Sequence, residues 1–216
     1  MRRFKYWNDL LNHKFILEMA ADSLPIEKFA FYLQQDHIFL KEFCTFLLTA
    51  KQKSIDQKLM TWFEGLYHST IDSEMHMQKE LLLSLGISNI DNSKAAAPAT
   101  LNYAKFLRKV STSAMNLEAI VSSMAPCPWS YFEIAQMMSK KNINTDAYHK
   151  WIKFYASEES RKQVDELKII LGSLYGQANK SKKLHMNKHF EMACKHEYEF
   201  WEMAYNRSQN ISSNGR

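Results

Sequence analysis

Turn-forming residues are scarce in this chain, with five glycines and four prolines in 216 residues. Folds assembled from many short strands need such residues every few positions, so long elements, and helices above all, are expected. Cysteine is scarce too. Cys44, Cys127 and Cys194 form an odd set with no C-x-x-C spacing, which argues against a disulfide framework and a structural zinc site. No apolar run approaches the ~20 residues needed to span a bilayer, and the amino terminus from Met1 to Trp7 lacks the hydrophobic segment of a signal peptide. The chain therefore reads as soluble and cytoplasmic, with no membrane partner.

An excess of one charge is also missing. Twenty-eight basic residues stand against 23 acidic ones, a net charge of +5 with both signs mixed along the chain. The densest basic run, Lys180-Ser181-Lys182-Lys183, has no helix-turn-helix, zinc-finger or RNA-recognition pattern beside it. It reads as a solvated loop and helix start, and no nucleic-acid partner is expected. The eight histidines do not form the two Glu-x-x-His pairs of a di-iron bundle. Asp146 and His149 have that spacing, but with the wrong acid and no twin. No metal and no other cofactor is expected, and a haem on His13 or His37 has no supporting pattern.

What the chain does contain is apolar surface: 46% of its residues are hydrophobic and 13% aromatic. These recur at three- and four-residue spacing almost throughout, the signature of amphipathic helices. Helices are expected near Phe4–Leu11 and Phe15–Ala21, then from Ile26 to the Lys51–Lys53 region, with Ser23 as N-cap and Pro25 in the first turn. Ser54 to Leu85 reads as one long helix ended by Gly86, and Ile87 to Pro98 as a loop. Further helices fall at Thr100–Val110, at Leu117–Ser139 with a disturbance at Pro126 and Pro128, and at Thr145–Phe154. Glu158–Leu174, with Gly176 as its stop, and Lys182–Asn206 complete the set. The expectation is an all-α, single-domain helical bundle over residues 1–207, followed by a polar, disordered tail over 208–216.

Three residues stand out against that pattern. Asp36 interrupts an apolar stripe formed by Phe29, Tyr32, Phe39 and Phe43, and Glu197 interrupts one formed by Phe190, Ala193, Phe200, Trp201 and Ala204. At about 3.6 residues per turn each acid points where the core should be. A carboxylate buried without partners costs several kcal/mol or shifts its pKa. The third residue, Cys127, lies between Pro126 and Pro128, where a kink can aim its thiol into a cavity beside Trp129 and Tyr131. The bland reading of each is structural, a packed cysteine and two salt-bridged acids. Together, a thiol, two carboxyl groups and flanking aromatics suit a planar heteroaromatic ligand with ring nitrogens and an exocyclic amine. Tyr103 and Tyr155 are weaker candidates among ten tyrosines.

Four separated stretches carry a family resemblance: Phe31–Asp36, Ala125–Glu133, Trp151–Tyr155 and Glu197–Tyr205. In this order, over almost the whole chain, they resemble the TenA-type proteins, the thiaminase II group of the haem-oxygenase-like superfamily, and Cys127 matches the cysteine-containing branch. The resemblance implies a hydrolase of thiamine salvage that attacks the methylene carbon of a 4-amino-2-methylpyrimidine. It would release an amine, or the thiazole of thiamine, and form hydroxymethylpyrimidine. It further implies Cys127 as nucleophile, Glu197 as proton donor and acceptor at the ring, and Tyr155 orienting or activating the thiol. By the same resemblance Asp36 would bind the ring and its amine, with Phe39, Tyr103, Tyr131 and Phe200 lining the site, in a homotetramer. Phe39 stands where many relatives have tyrosine, and Pro128 where an aromatic residue is common. The alternatives are a non-catalytic pyrimidine-binding regulatory protein of the same fold and a haem- or quinone-related member of the superfamily.

Overall fold

A computed structural model describes residues 4–88, 96–113 and 117–206. The described residues form eleven α-helices and one π-helical turn. Two short helices, α1 (Lys5–Leu11) and α2 (Lys14–Ala20), open the chain. His13 caps α2, its Nδ1 accepting from the Phe15 amide at 3.1 Å. The 28-residue α3 (Ile26–Lys53) is a strut about 42 Å long at ~1.5 Å per residue. Next come α4 (Gln57–His68), the π-helical turn Ser69–Glu74 and α5 (Met75–Ser84). Gly86 ends α5 with φ at 78°, while the Ile87 amide reaches back to the Leu82 carbonyl at 2.9 Å. That arrangement needs the left-handed backbone that glycine adopts freely.

The second half holds α6 (Pro98–Ser113), α7 (Leu117–Met124), α8 (Pro126–Met138), α9 (Asp146–Tyr155), α10 (Glu158–Gln177) and α11 (Lys180–Asn206). The helix α3 packs against α4 and α6, α11 against α1 and α7, and α8 against α9 and α10. Rings fill the space between them. Trp201, fully buried, lies 5.0 Å from both Phe15 and Tyr32 and 5.4 Å from Tyr131, ring centre to ring centre. The indole N–H of Trp151 donates to the Tyr32 hydroxyl at 3.0 Å. Each such side chain taken fully out of water contributes roughly 1.5–3 kcal/mol. Long helices carrying one aromatic face therefore drive the packing, and the stripe of α3 meets the stripe of α11 across this cluster.

Several boundaries differ from the sequence expectation. The stretch 54–85 is not one regular helix: Asp56 starts it, its Oδ1 accepting from the Lys58 amide at 2.7 Å, and the π-helical turn divides it. Ser23 does not cap α3; its hydroxyl donates back to the Glu18 carbonyl at 3.2 Å, and Pro25 occupies the cap position. Gly176 does not stop α10, which runs on to Gln177. The stretch 117–139 does divide at the prolines, into α7 and α8 on either side of Ala125. Among the described residues no helix is long and apolar enough to cross a membrane. The expected tail over 208–216 lies outside the described residues.

Candidate active site

Pro126 is the first residue of α8 and Pro128 the third. Amides in a first helical turn have no intrahelical acceptor, so neither proline costs a hydrogen bond, and the ring of each presets the helical φ. Between them Cys127 turns its thiol into an internal cavity of about 270 Å³. Tyr131 and Tyr155 line the same cavity, with Phe43 and Phe154 as apolar wall and Thr70 and Glu74 as polar wall.

Behind this wall lie the two acids singled out in the sequence, Asp36 at 3% exposure and Glu197 at 2%. Oδ2 of Asp36 accepts from the Tyr32 hydroxyl at 3.0 Å and from the Gln78 amide at 2.6 Å, leaving Oδ1 without a protein donor. Oε1 of Glu197 accepts from the Tyr103 hydroxyl at 2.8 Å, and the Cys127 thiol lies close enough for the two groups to shift each other's titration. The Tyr155 hydroxyl donates to Oε1 of Glu74 at 2.6 Å, not to the thiol that the resemblance pairs it with. Cys127, Tyr131 and Tyr155 thus face the cavity, while Asp36, Tyr103 and Glu197 reach it through hydrogen bonds and charge. Phe39 stacks on Tyr103 at 4.6 Å and meets Phe200 edge-on at 6.1 Å. Both phenylalanines pack behind the acids and do not bound the cavity.

Electrostatically the site is one-sided. Burial pushes the Asp36 carboxyl well above its ordinary range, and the charges of Glu74 and Glu197 push it further. Burial raises Glu197 to about 7 against the opposing pull of the Tyr103 and Cys127 hydrogen bonds, and Glu74 to about 7 against that of Tyr155. The Cys127 thiol is held well above its ordinary value by burial first, then by the carboxylates of Glu197, Glu74 and Asp36. At neutral pH the sulfur is therefore a thiol. Among the described residues no three His, Cys, Asp or Glu side chains are arranged to hold a metal ion. No Lys, Arg or His among the described residues hydrogen-bonds or ion-pairs with Asp36, Glu74 or Glu197.

Reading the sequence alone missed Glu74, Gln78 and Tyr32. Glu74 sits among Ser69, Thr70, Asp72, Ser73 and His76, a polar stretch that looks like a solvated face. A signal was present in the four-residue spacing of Leu66, Thr70, Glu74 and Gln78. Residues so spaced drift by about 40° per step around an α-helix; the wider π-helical turn reduces the drift and keeps Glu74 facing inward.

This architecture is that of the haem-oxygenase-like proteins. A Shewanella denitrificans domain of unknown function with a heme oxygenase-like fold superposes with a TM-score of 0.74 at 14% identity, over 96% of this chain and 90% of that one. More narrowly, residues 3–207 match the TENA/THI-4/PQQC family, and the chain belongs to that family. Among its relatives, the aminopyrimidine aminohydrolase of Halalkalibacterium halodurans is 30% identical over 204 residues, 93% of this chain and 90% of the relative. The TenA homologue from P. horikoshii superposes with a TM-score of 0.84 at 26% identity, covering 94% of this chain and 93% of the other.

Proposed function

We propose that this protein is an aminopyrimidine aminohydrolase of the thiaminase II type. It would convert an aminomethyl derivative of 4-amino-2-methylpyrimidine, or thiamine, to hydroxymethylpyrimidine through a covalent intermediate on Cys127. The observation that carries the proposal is the Cys127 thiol, open to an internal cavity and beside the buried Glu197 carboxyl group, which burial raises to about 7. The family relationship and the names of relatives similar over nearly the whole chain support it.

The chemistry follows from the contacts. As sulfur attacks the substrate methylene carbon, the thiol proton passes to the neighbouring Glu197 carboxylate. The new C–S bond replaces the C–N bond and the amine leaves with the bonding pair. Water then displaces the sulfur, giving the alcohol and restoring the thiol, and the proton on Glu197 ends on the released amine. A standing thiolate is not required, because the base lies beside the nucleophile. A carboxyl group titrating near 7 suits both halves of that exchange. Oδ1 of Asp36, free of protein donors, is the acceptor offered to the exocyclic amine of the ring, while Gln78 and Tyr32 hold its other oxygen.

Incubating purified protein with aminomethylpyrimidine and, separately, with thiamine, and assaying hydroxymethylpyrimidine by chromatography, tests the reaction. Product from either substrate is expected. Saturable binding with no product would contradict the hydrolase and favour a pyrimidine-binding regulator. The family resemblance further supports a cytoplasmic homotetramer, which light scattering on the purified protein would check.

A further inference from the structure

Within the hydrolase reading, one half-buried acid has no task. Glu74 ends the π-helical turn and lines the cavity together with Cys127 and Tyr155. One of its oxygens accepts from the Tyr155 hydroxyl; the other has no donor among the described residues. It lies near enough to Cys127 and Asp36 for its charge to raise the pKa of both. Glu197 is committed to the thiol and Tyr103, and Asp36 to the ring side through Tyr32 and Gln78. Glu74 therefore faces the part of the cavity that neither of those acids serves.

We propose that Glu74 is the recognition group for the leaving amine: its free oxygen accepts a hydrogen bond from the substrate's aminomethyl ammonium, and it keeps that nitrogen protonated until the C–N bond breaks. This assignment rests on the hydrolase reading above and deepens it. The physical argument is charge balance. An amine departs readily only when protonated, and a cation entering an apolar cavity loses its hydration unless an anion meets it there. No cation among the described residues pairs with this carboxyl group, so the substrate is the partner that completes it. Tyr155 acts here as a positioning residue, fixing the carboxyl plane through the 2.6 Å bond. The rim continues this polar side: Gln163 donates to the Ser69 hydroxyl at 2.7 Å, tying α10 to the start of the π-helical turn on which Glu74 sits.

The same reasoning yields a preference. Thiamine's leaving thiazolium carries its charge on a nitrogen with no hydrogen to donate, and the product alcohol carries no charge. Glu74 should therefore select for the amine over both.

The test is calorimetric binding in a Cys127→Ser background, which holds substrate without turnover, comparing Glu74 with Glu74→Gln. The amide is nearly isosteric and still accepts from Tyr155. Losing a hydrogen bond to a charged group costs about ten- to hundredfold in affinity. The expected result is a loss of that size for aminomethylpyrimidine, with hydroxymethylpyrimidine binding kept within about twofold. Retained binding of the alcohol also demonstrates that the variant is folded. Equal losses for amine and alcohol, or no loss for either, would overturn the role of Glu74 while leaving the hydrolase reading intact. Absence of binding by either pyrimidine to the parent protein would instead overturn the hydrolase reading itself, and this assignment with it.

Discussion

Carboxyl groups on the outside of this bundle and those inside it live under opposite rules. Outside, several find a cation: Lys51 reaches Glu64 at 2.6 Å, Lys182 reaches Glu118 at 2.6 Å and Lys150 reaches Asp146 at 2.7 Å. The hydrogen bond and charge of Lys51 hold Glu64 below its ordinary pKa. Inside, among the described residues, Asp36, Glu74 and Glu197 accept from tyrosine hydroxyls and one amide and lie near one thiol, and burial lifts all three. The outer acids are satisfied by the protein and exchange freely with solvent. The inner ones are left wanting a positive charge, and a protonated aminopyrimidine carries it in.

The largest effect should come at the thiol. Cys127→Ser is expected to lower turnover by about a thousandfold or more, since removing a nucleophile from a coupled constellation abolishes most of its catalysis. Cys194→Ser should keep the activity of each folded molecule, because Cys194 is fully buried and does not border the cavity. Steady-state kinetics on both variants, with circular dichroism as a fold check, reads the contrast. Next in size, Glu197→Gln should reduce kcat by about a hundred- to ten-thousandfold, because an amide cannot take the thiol proton. A change confined to KM would mean that Glu197 only binds.

The third contrast is between the two classes of acid as pH changes. Glu197 titrates near 7 in the fold against an ordinary 4.5. The folded protein thus holds this proton more tightly than the unfolded chain does. The resulting stability is complete below pH 4.5 and is lost as pH rises through 7, about 3 kcal/mol at most for this one group. Glu64, held low by Lys51, works in the opposite direction, stabilising above its unfolded value and losing that contribution in acid. Urea midpoints of the ligand-free protein should fall between pH 4.5 and 7, and Glu197→Gln should flatten the decline. An equally steep decline in that variant would move its cause elsewhere. The smallest effect belongs to the surface: Lys182→Ala, which removes the partner of Glu118, should shift stability by less than about 1 kcal/mol and leave turnover unchanged.

The two regions were not equally legible in the sequence. Asp36 and Glu197 could be found because each breaks an apolar stripe on a regular helix, α3 or α11, where a 3.6-residue period projects side chains correctly. Cys127 could be found because prolines punctuate it. Glu74 was harder to find, since the residues around it are polar and its four-residue spacing with Leu66, Thr70 and Gln78 points inward only once the stretch is read with the wider π-helical period. The pairing of Tyr155 with Glu74, not with the thiol, likewise depends on how α9 meets that turn, a tertiary fact. Residues 208–216 carry polar sequence and lie outside the described structure.

The central claim is that the protein completes its acid-lined interior with a cationic pyrimidine and attacks it through Cys127. Acid-quenching a reaction with aminomethylpyrimidine at successive times, then mapping peptide masses, tests it most directly. A pyrimidinylmethyl group is expected on the peptide holding Cys127 and none on those holding Cys44 or Cys194. Hydroxymethylpyrimidine accumulating while Cys127 stays unmodified at every time point, with the Cys127→Ser variant keeping its rate, would contradict it.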